Sequence, residues 1–220
     1  AHGTSHMDVA NECAKSLGQD IKDLKIITCH LGGGASITAV QNGESIDTSM
    51  GLTPLEGIMM NTRSGDLDPA LIEYICNKEG KTVSEVLTML NKESGLLGIN
   101  GKVSDMRDIT ANLDDPDIKL SFDMYTRRIK KYIGAYIALM DGVDAIVFTA
   151  GIGENTPELR RDVLESFNYI GLKIDPDKNF NIERGSFADI TAEGSKVKVL
   201  VIPTDEEMVI AKQTKFLAEK

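Results

Sequence analysis

The sequence predicts an α/β fold, and three observations carry that prediction. Residues 25–49 contain three short strand-like runs in close succession. Two further apolar runs, 144–150 and 196–202, each lead directly into a helix-like segment. Between these groups, residues 115–140 place apolar side chains at helical spacing.

In chain order, the protein opens Ala-His-Gly-Thr-Ser-His-Met without an initiator methionine, a pattern that tag removal also leaves behind. Ser5–Leu17 sets Val9, Ala10, Cys13, Ala14 and Leu17 on one helical face, closed by Gly18. Lys25–His30 is a β-branched, apolar run of buried-strand character. Gly32-Gly33-Gly34 interrupts it, Ala35–Val40 resumes as a strand, and Asn42-Gly43 signals a tight hairpin into a third strand, Glu44–Ser49. A three-glycine turn between strands exposes consecutive backbone N–H groups, a nest that suits an anion, most often phosphate. A turn that only lets two strands bulge is the plainer reading. The chain has neither GxxxxGK[ST] nor GxGxxG.

Thr53–Arg63 is a loop leading to Asp68-Pro69, an N-cap followed by proline at the first helical position. Helices are predicted over Ala70–Asn77, closed by Gly80, and over Thr82–Lys92. Ser94–Ile99 reads as a turn, and Val103–Asp108 caps a short helix. Asp115-Pro116 starts the longest helix, reaching about Met140. Its stripe (Ile118, Phe122, Tyr125, Ile129, Tyr132, Ile133, Tyr136, Ile137, Met140) fits a core face, with a dimer seam as the alternative. Asp144–Ala150 is a strand, Gly151–Asn155 a glycine loop, and Pro157–Phe167 a helix. Lys173–Ile174 is a candidate small strand, and Asn179–Gly194 reads as a polar surface excursion. Lys196–Ile202 is a buried strand, after which Pro203–Glu207 opens a last helix to about Ala218.

Composition narrows the function classes. The 220 residues are 41% hydrophobic and 26% charged, ordinary for a globular chain able to bury a sizeable core. A net charge of −10 argues against a nucleic-acid partner, because affinity for phosphate polymers comes mainly from Lys and Arg. No apolar run is long enough to cross a bilayer, and no secretory signal opens the chain. Cys13, Cys29 and Cys76 are odd in number and lack a CxxC pattern, which favours a reduced, cytoplasmic setting without a structural metal.

Strand, glycine loop and helix at 151 form a second phosphate-type element. Asp205, Glu206 and Glu207 follow a strand end, where a carboxylate can reach Mg²⁺, although helix capping also explains them. Two glycine loops and an acidic strand end together favour a nucleotide–Mg²⁺ site.

These stretches together resemble the acetate kinase family, within the actin/hexokinase/Hsp70-like superfamily. The matching segments are HGTSH (His2–His6), HLGGGASITAV (His30–Val40), DTSMGLTPLEGIMMNTRSGDLDP (Asp47–Pro69), VSDMRD (Val103–Asp108), FTAGIGEN (Phe148–Asn155) and IPTDEE (Ile202–Glu207). They stand in family order across essentially the whole chain, so the HGTSH opening is read as a family motif and not as a tag scar. The resemblance implies a ribonuclease-H-like, actin-like ATPase fold with a mixed sheet flanked by helices. It also implies that residues 1–220 form the C-terminal, nucleotide-binding domain of an acetate kinase. The N-terminal half would supply the rest of the acetate pocket, a substrate-binding arginine and a catalytic aspartate. Without it the chain is not expected to turn over.

By the same resemblance, His2 and Arg63 stabilise the transferring phosphoryl group. His30, Leu31, Gly32, Gly33 and Gly34 form the first nucleotide-phosphate loop. Asp105, Met106 and Arg107 contact the nucleoside, Gly153, Glu154, Asn155, Thr156 and Pro157 form the second loop, and Glu206 associates with Mg²⁺. ATP/ADP, Mg²⁺ (Mn²⁺ as an alternative) and acetate are the implied ligands, and a homodimer through this domain the implied assembly. From the residues alone His30 fits a satisfied core histidine, Arg63 a salt-bridging arginine, His6 a support for His2, and Asp105 a helix cap. The family commonly has Asn where this chain has Gly33, which removes a carboxamide from the first loop. HLGGG is also similar to butyrate kinases. Propionate or butyrate as acceptor, a donor other than ATP, or a module only for nucleotide binding or dimerisation remain as alternatives.

Overall fold

The computed structural model describes residues 2–204 together with Ala211 and Thr214. The last helix and Glu206 lie outside the described residues. Six strands form one mixed sheet in the order β3-β2-β1-β4-β6-β5. β1 (Lys25–Leu31), β2 (Ala35–Gln41) and β3 (Glu44–Thr48) are an antiparallel meander. β4 (Ala145–Thr149) and β6 (Lys198–Val201) run parallel to β1, and the two-residue β5 (Ala188–Asp189) pairs antiparallel on the far edge. The Asn42-Gly43 turn has φ of +56° and +82°, the double left-handed geometry that such two-residue hairpins require.

Alternation within the strands builds two different faces. Ile27, Cys29 and Leu31 of β1 and Ala35, Ile37 and Ala39 of β2 point into the larger core. There they meet α6 (Pro116–Leu139) and α8 (Pro157–Leu164). The α6 stripe is spent on this core: Ile118, Phe122, Tyr125, Ile129, Ile133, Tyr136, Ile137 and Met140 are all buried, so it is not free to serve as a dimer seam. Tyr132 is half-buried and donates through its hydroxyl to Asp66 Oδ2 at 2.7 Å. The opposite face carries α1 (Gly3–Leu17), whose Val9, Ala10, Cys13 and Ala14 pack on Ile26, Val40, Ala145, Val147 and Leu200.

Helices α2 (Ala70–Glu79), α3 (Val83–Lys92), α4 (Gly95–Asn100) and α5 (Met106–Ala111) fill the connection from β3 to α6. Several expectations change here. Ser94–Ile99, read as a turn, is mostly α4, whose first amides find tertiary acceptors: Leu96 N–H donates to Met60 O and Leu97 N–H to Asn61 O, both at 3.0 Å. Gly151–Asn155, read as a loop, lies in α7 (Ala150–Asn155). Its Gly153 is buried against the strands, where a Cβ would make ordinary contact with the Phe148 carbonyl carbon at 3.5 Å and Cys29 O at 3.6 Å. The helix from Pro157 ends at Leu164 and continues as a 3₁₀ turn over Glu165–Ile170. Lys173–Ile174 contributes only a single bridge, Ile174 to Thr191. The segment 179–194 is not wholly a surface excursion, because Asn179 and Ile190 are buried and β5 pairs with β6. α9 (Pro176–Phe180) precedes it. All three cysteines are free, and among the described residues no helix is long and apolar enough to cross a membrane.

Candidate active site

At the site end of β1 and β2, the α1-facing positions turn polar: Thr28 and His30 on one strand pair with Thr38 and Ser36 on the other. α1 answers with Ser5 and His6, and His2 stands at its N-cap. The result is a buried relay. Thr28 Oγ1 bonds His6 Nδ1 at 2.7 Å, His6 Nε2 bonds Ser36 Oγ at 2.7 Å, and Ser36 Oγ bonds His2 Nδ1 at 2.8 Å. His30 Nδ1 bonds Ser5 Oγ at 2.8 Å, and the His30 ring stacks on His2 with centroids 3.8 Å apart. Burial lowers all three imidazole pKa values from 6.5, to about 3 for His6 and about 4 for His30. Arg63's charge adds to the lowering at His2. The cluster is neutral at physiological pH.

Arg63 reaches this cluster from the other side. Its segment is gripped by α4: Ser94 N–H donates to Thr62 O at 2.9 Å, and Met60 N–H to Arg63 O at 3.0 Å. Gly95, with φ +64°, comes so close that a Cβ would lie 2.2 Å from Met60 O and 2.8 Å from Arg63 O. The Arg63 guanidinium donates to Pro54 O at 3.3 Å. Among the described residues it has no carboxylate partner, so the salt-bridge explanation does not hold. A Cβ on Gly34 would meet Arg63 Nη1 at 3.2 Å and His2 Nε2 at 3.8 Å, so glycine there keeps both cationic and imidazole groups beside the loop backbone.

Gly32 and Gly33 line a cavity of about 460 Å³, together with Asn61, Asp105, Met106, Arg107, Thr110, Gly151, Ile152, Asn155, Thr156 and Arg184. The Gly33 and Gly34 amides have no acceptor among the described residues, as an anion nest requires. Gly32 N–H donates back to Gly34 O at 3.1 Å and closes the loop. Asp105 both caps α5, accepting from Arg107 N–H, and pairs with the Arg107 guanidinium at 2.6 Å, which draws its pKa down. Ala150 starts α7 with φ +65°, an uncommon conformation for a residue with a side chain.

Behind α7 sits Arg160, only 1% exposed. Its guanidinium donates to Gly153 O at 2.7 Å, Glu154 O at 2.9 Å, Asn179 Oδ1 at 2.8 Å and Asn179 O at 2.9 Å. Burial pulls its pKa down to about 10, which still leaves it charged at neutral pH.

A family model described as the acetokinase family matches residues 1–212. The chain belongs to the acetokinase family. Over its whole length it is 54% identical to an acetate kinase of Streptococcus agalactiae, covering 56% of that protein. A crystal structure of Porphyromonas gingivalis acetate kinase superposes with a TM-score of 0.95 at 43% identity, over 99% of this chain and 55% of the other. A propionate kinase from Francisella tularensis superposes at 0.88 and 44% identity, over 96% and 54%. The chain thus spans about half the length of the relatives it matches. The fold is the actin-like ATPase fold of acetokinases, with a mixed six-stranded sheet flanked by helices.

Against the acetokinase pattern, the geometry divides the expected residues into groups. His2, Arg63 and Gly34 meet at one end of the first loop, while Gly32, Gly33, Asp105, Met106, Arg107, Asn155 and Thr156 surround the cavity at the other. His30 is 7% exposed and stacks beneath His2, and Leu31 points into the core. Gly153, Glu154 and Pro157 do not line the cavity. Gly153 packs on the strands, and its carbonyl and that of Glu154 serve Arg160. Sequence reasoning missed Ser36, Thr28, Asn61, Arg160 and Arg184. The alternate polar positions Thr28/His30 and Ser36/Thr38 inside buried strands were the available signal for the first two.

Proposed function

We propose that this chain is the C-terminal, nucleotide-binding half of an acetate kinase, acting on ATP and acetate with Mg²⁺ in a full-length cytoplasmic homodimer. The observation that carries this is the Gly32–Gly34 loop, which joins a nucleoside-sized cavity on one side to His2 and Arg63 on the other. In the proposed reaction an acetate oxygen attacks the γ-phosphorus, the bond to the β–γ bridging oxygen breaks, and ADP leaves in line. Loop amides of Gly33 and Gly34 hold phosphate oxygens. Arg63 and His2 stabilise charge on the equatorial oxygens as it transfers.

For His2 to donate from Nε2, its Nδ1 must accept from the Ser36 hydroxyl. Ser36 Oγ then accepts from His6 Nε2–H, and Thr28 donates to His6 Nδ1. One direction of the relay therefore fixes a donating tautomer at His2 without charging it. Glu206 would hold Mg²⁺, which would supply positive charge to the nucleotide phosphates. Asp105, Met106, Arg107, Asn155, Thr156 and Arg184 would contact the nucleoside.

Calorimetric titration of this chain tests the nucleotide half, with saturable one-to-one binding of Mg·ADP expected. No binding overturns it, and binding of pyrophosphate without nucleotide reassigns the donor. In the full-length protein, His2→Ala is expected to lower acetyl-hydroxamate formation by about 10²–10³ in kcat with little change in nucleotide affinity. The 44% identical propionate kinase supports propionate as a second acceptor, which an acceptor panel resolves.

A further inference from the structure

Across the cavity from the first glycine loop stands Asn61. Its backbone is fixed: its carbonyl accepts from Leu97 N–H, and the flanking Met60 and Thr62 carbonyls accept from Leu96 and Ser94. Its side chain is not. Oδ1 is buried without a hydrogen-bond partner among the described residues, and Nδ2 bonds to none of them either. An amide oxygen buried this way costs stability that an apolar residue of similar size would avoid. Nδ2 is the atom turned toward the loop, and a rigid cavity wall that holds an unpaired amide donor there points to an acceptor-rich ligand.

The place it faces is specific. Around the point where a Cβ on Gly33 would stand there is open space, and the nearest atom is Asn61 Nδ2 at 3.9 Å. Gly33 lines the same cavity as Asn61, and its amide has no acceptor among the described residues. A group seated on the Gly33 N–H donor is therefore met from the Asn61 wall by an amide N–H₂. Two amide donors lining one cavity, whose Asp105 carboxylate is already paired with Arg107, suit a phosphoryl group.

We propose that Asn61 is a donor-phosphate-binding residue, its carboxamide occupying the space that a side chain at position 33 would otherwise fill. This rests on the nucleotide-binding reading above and deepens it. It predicts that positions 33 and 61 are interchangeable sources of one amide donor.

The test is calorimetric titration of this chain and its variants with Mg·ADP, Mg·ATP and adenosine. Asn61→Ala is expected to weaken both nucleotides about tenfold, the effect of one hydrogen bond to a charged group, and to leave adenosine affinity unchanged. Its ligand-free melting temperature stays level or rises, because a frustrated amide has been removed. Asn61→Asp weakens nucleotide binding further through charge repulsion. The double variant Gly33→Asn/Asn61→Gly recovers affinity to within about threefold of the parent. Parent-like nucleotide affinity in Asn61→Ala, an equal loss for adenosine, or no recovery in the double variant overturns the assignment. A parent chain that binds no nucleotide overturns the functional reading, and this inference with it.

Discussion

Replacing Arg160 by methionine tests how the second nucleotide segment is held. The guanidinium is buried, charged and bonded only to neutral acceptors, four of them within 2.9 Å. Methionine fills much of the volume but leaves the Gly153 and Glu154 carbonyls and the Asn179 side chain without their donor. Each stranded carbonyl costs about 1–3 kcal/mol, and loss of the whole buried network about 3–5 kcal/mol once the relief of desolvating a cation is set against it. For a domain of this size that is a fall in melting temperature of roughly 8–15 °C. Lysine keeps the charge but offers no planar fork, so Arg160→Lys falls between the two. Thermal unfolding gives the first number, and Mg·ADP titration shows whether α7 has moved. A methionine variant that melts within 2 °C of the parent would refute the energetic reasoning. One that is destabilised yet binds nucleotide at full affinity would refute the link to the site.

Three further outcomes follow from the geometry. His6 and His30 are held neutral in the fold, to about 3 and about 4, but take up a proton near 6.5 when unfolded. The unfolded chain therefore binds more protons below that pH. Stability is full above about pH 6.5 and falls as pH drops toward 4, by up to about 1.4 kcal/mol per pH unit for each histidine. Urea midpoints at several pH values check this, and His6→Asn flattens the dependence by one histidine's share. Gly95→Ala combines φ +64° with a Cβ 2.2 Å from Met60 O, whereas Gly101→Ala meets φ +66° and nothing within 4 Å. The second is expected to cost about 1–2 kcal/mol and the first distinctly more, with Arg63 displaced. Equal costs in chemical denaturation would show that the contact with the Met60 and Arg63 carbonyls is soft.

The strands, the hairpin and the long helix were legible because period and turn chemistry act locally: Asn42-Gly43 alone sets its turn, and the α6 stripe alone sets its buried face. The family motifs also named residues that the fold brings to the two ends of the first glycine loop. What escaped is tertiary in origin. Gly95 read as a turn glycine because glycine usually breaks helices, yet it is glycine so that α4 can lie against the Met60 and Arg63 carbonyls. Arg160 escaped because nothing local shows that its acceptors come from Gly153, Glu154 and Asn179. Asn61 was invisible for the same reason: its meaning depends on an empty place opposite, at Gly33.

The sheet order bears on how the protein assembles over time. β1, β2 and β3 are joined by turns of three and two residues and can zip together early. The β1–β4 pairing, which brings Gly32 beside Ala150, closes a loop of 119 residues between Lys25 and Asp144. Its chain-entropy cost falls before any contact there offsets it. A ligand bridging the two glycine segments finds nothing to bind until that loop has closed. It should therefore slow unfolding and leave the refolding rate unchanged, acting as a brake on departure from the native state and not as a template for reaching it.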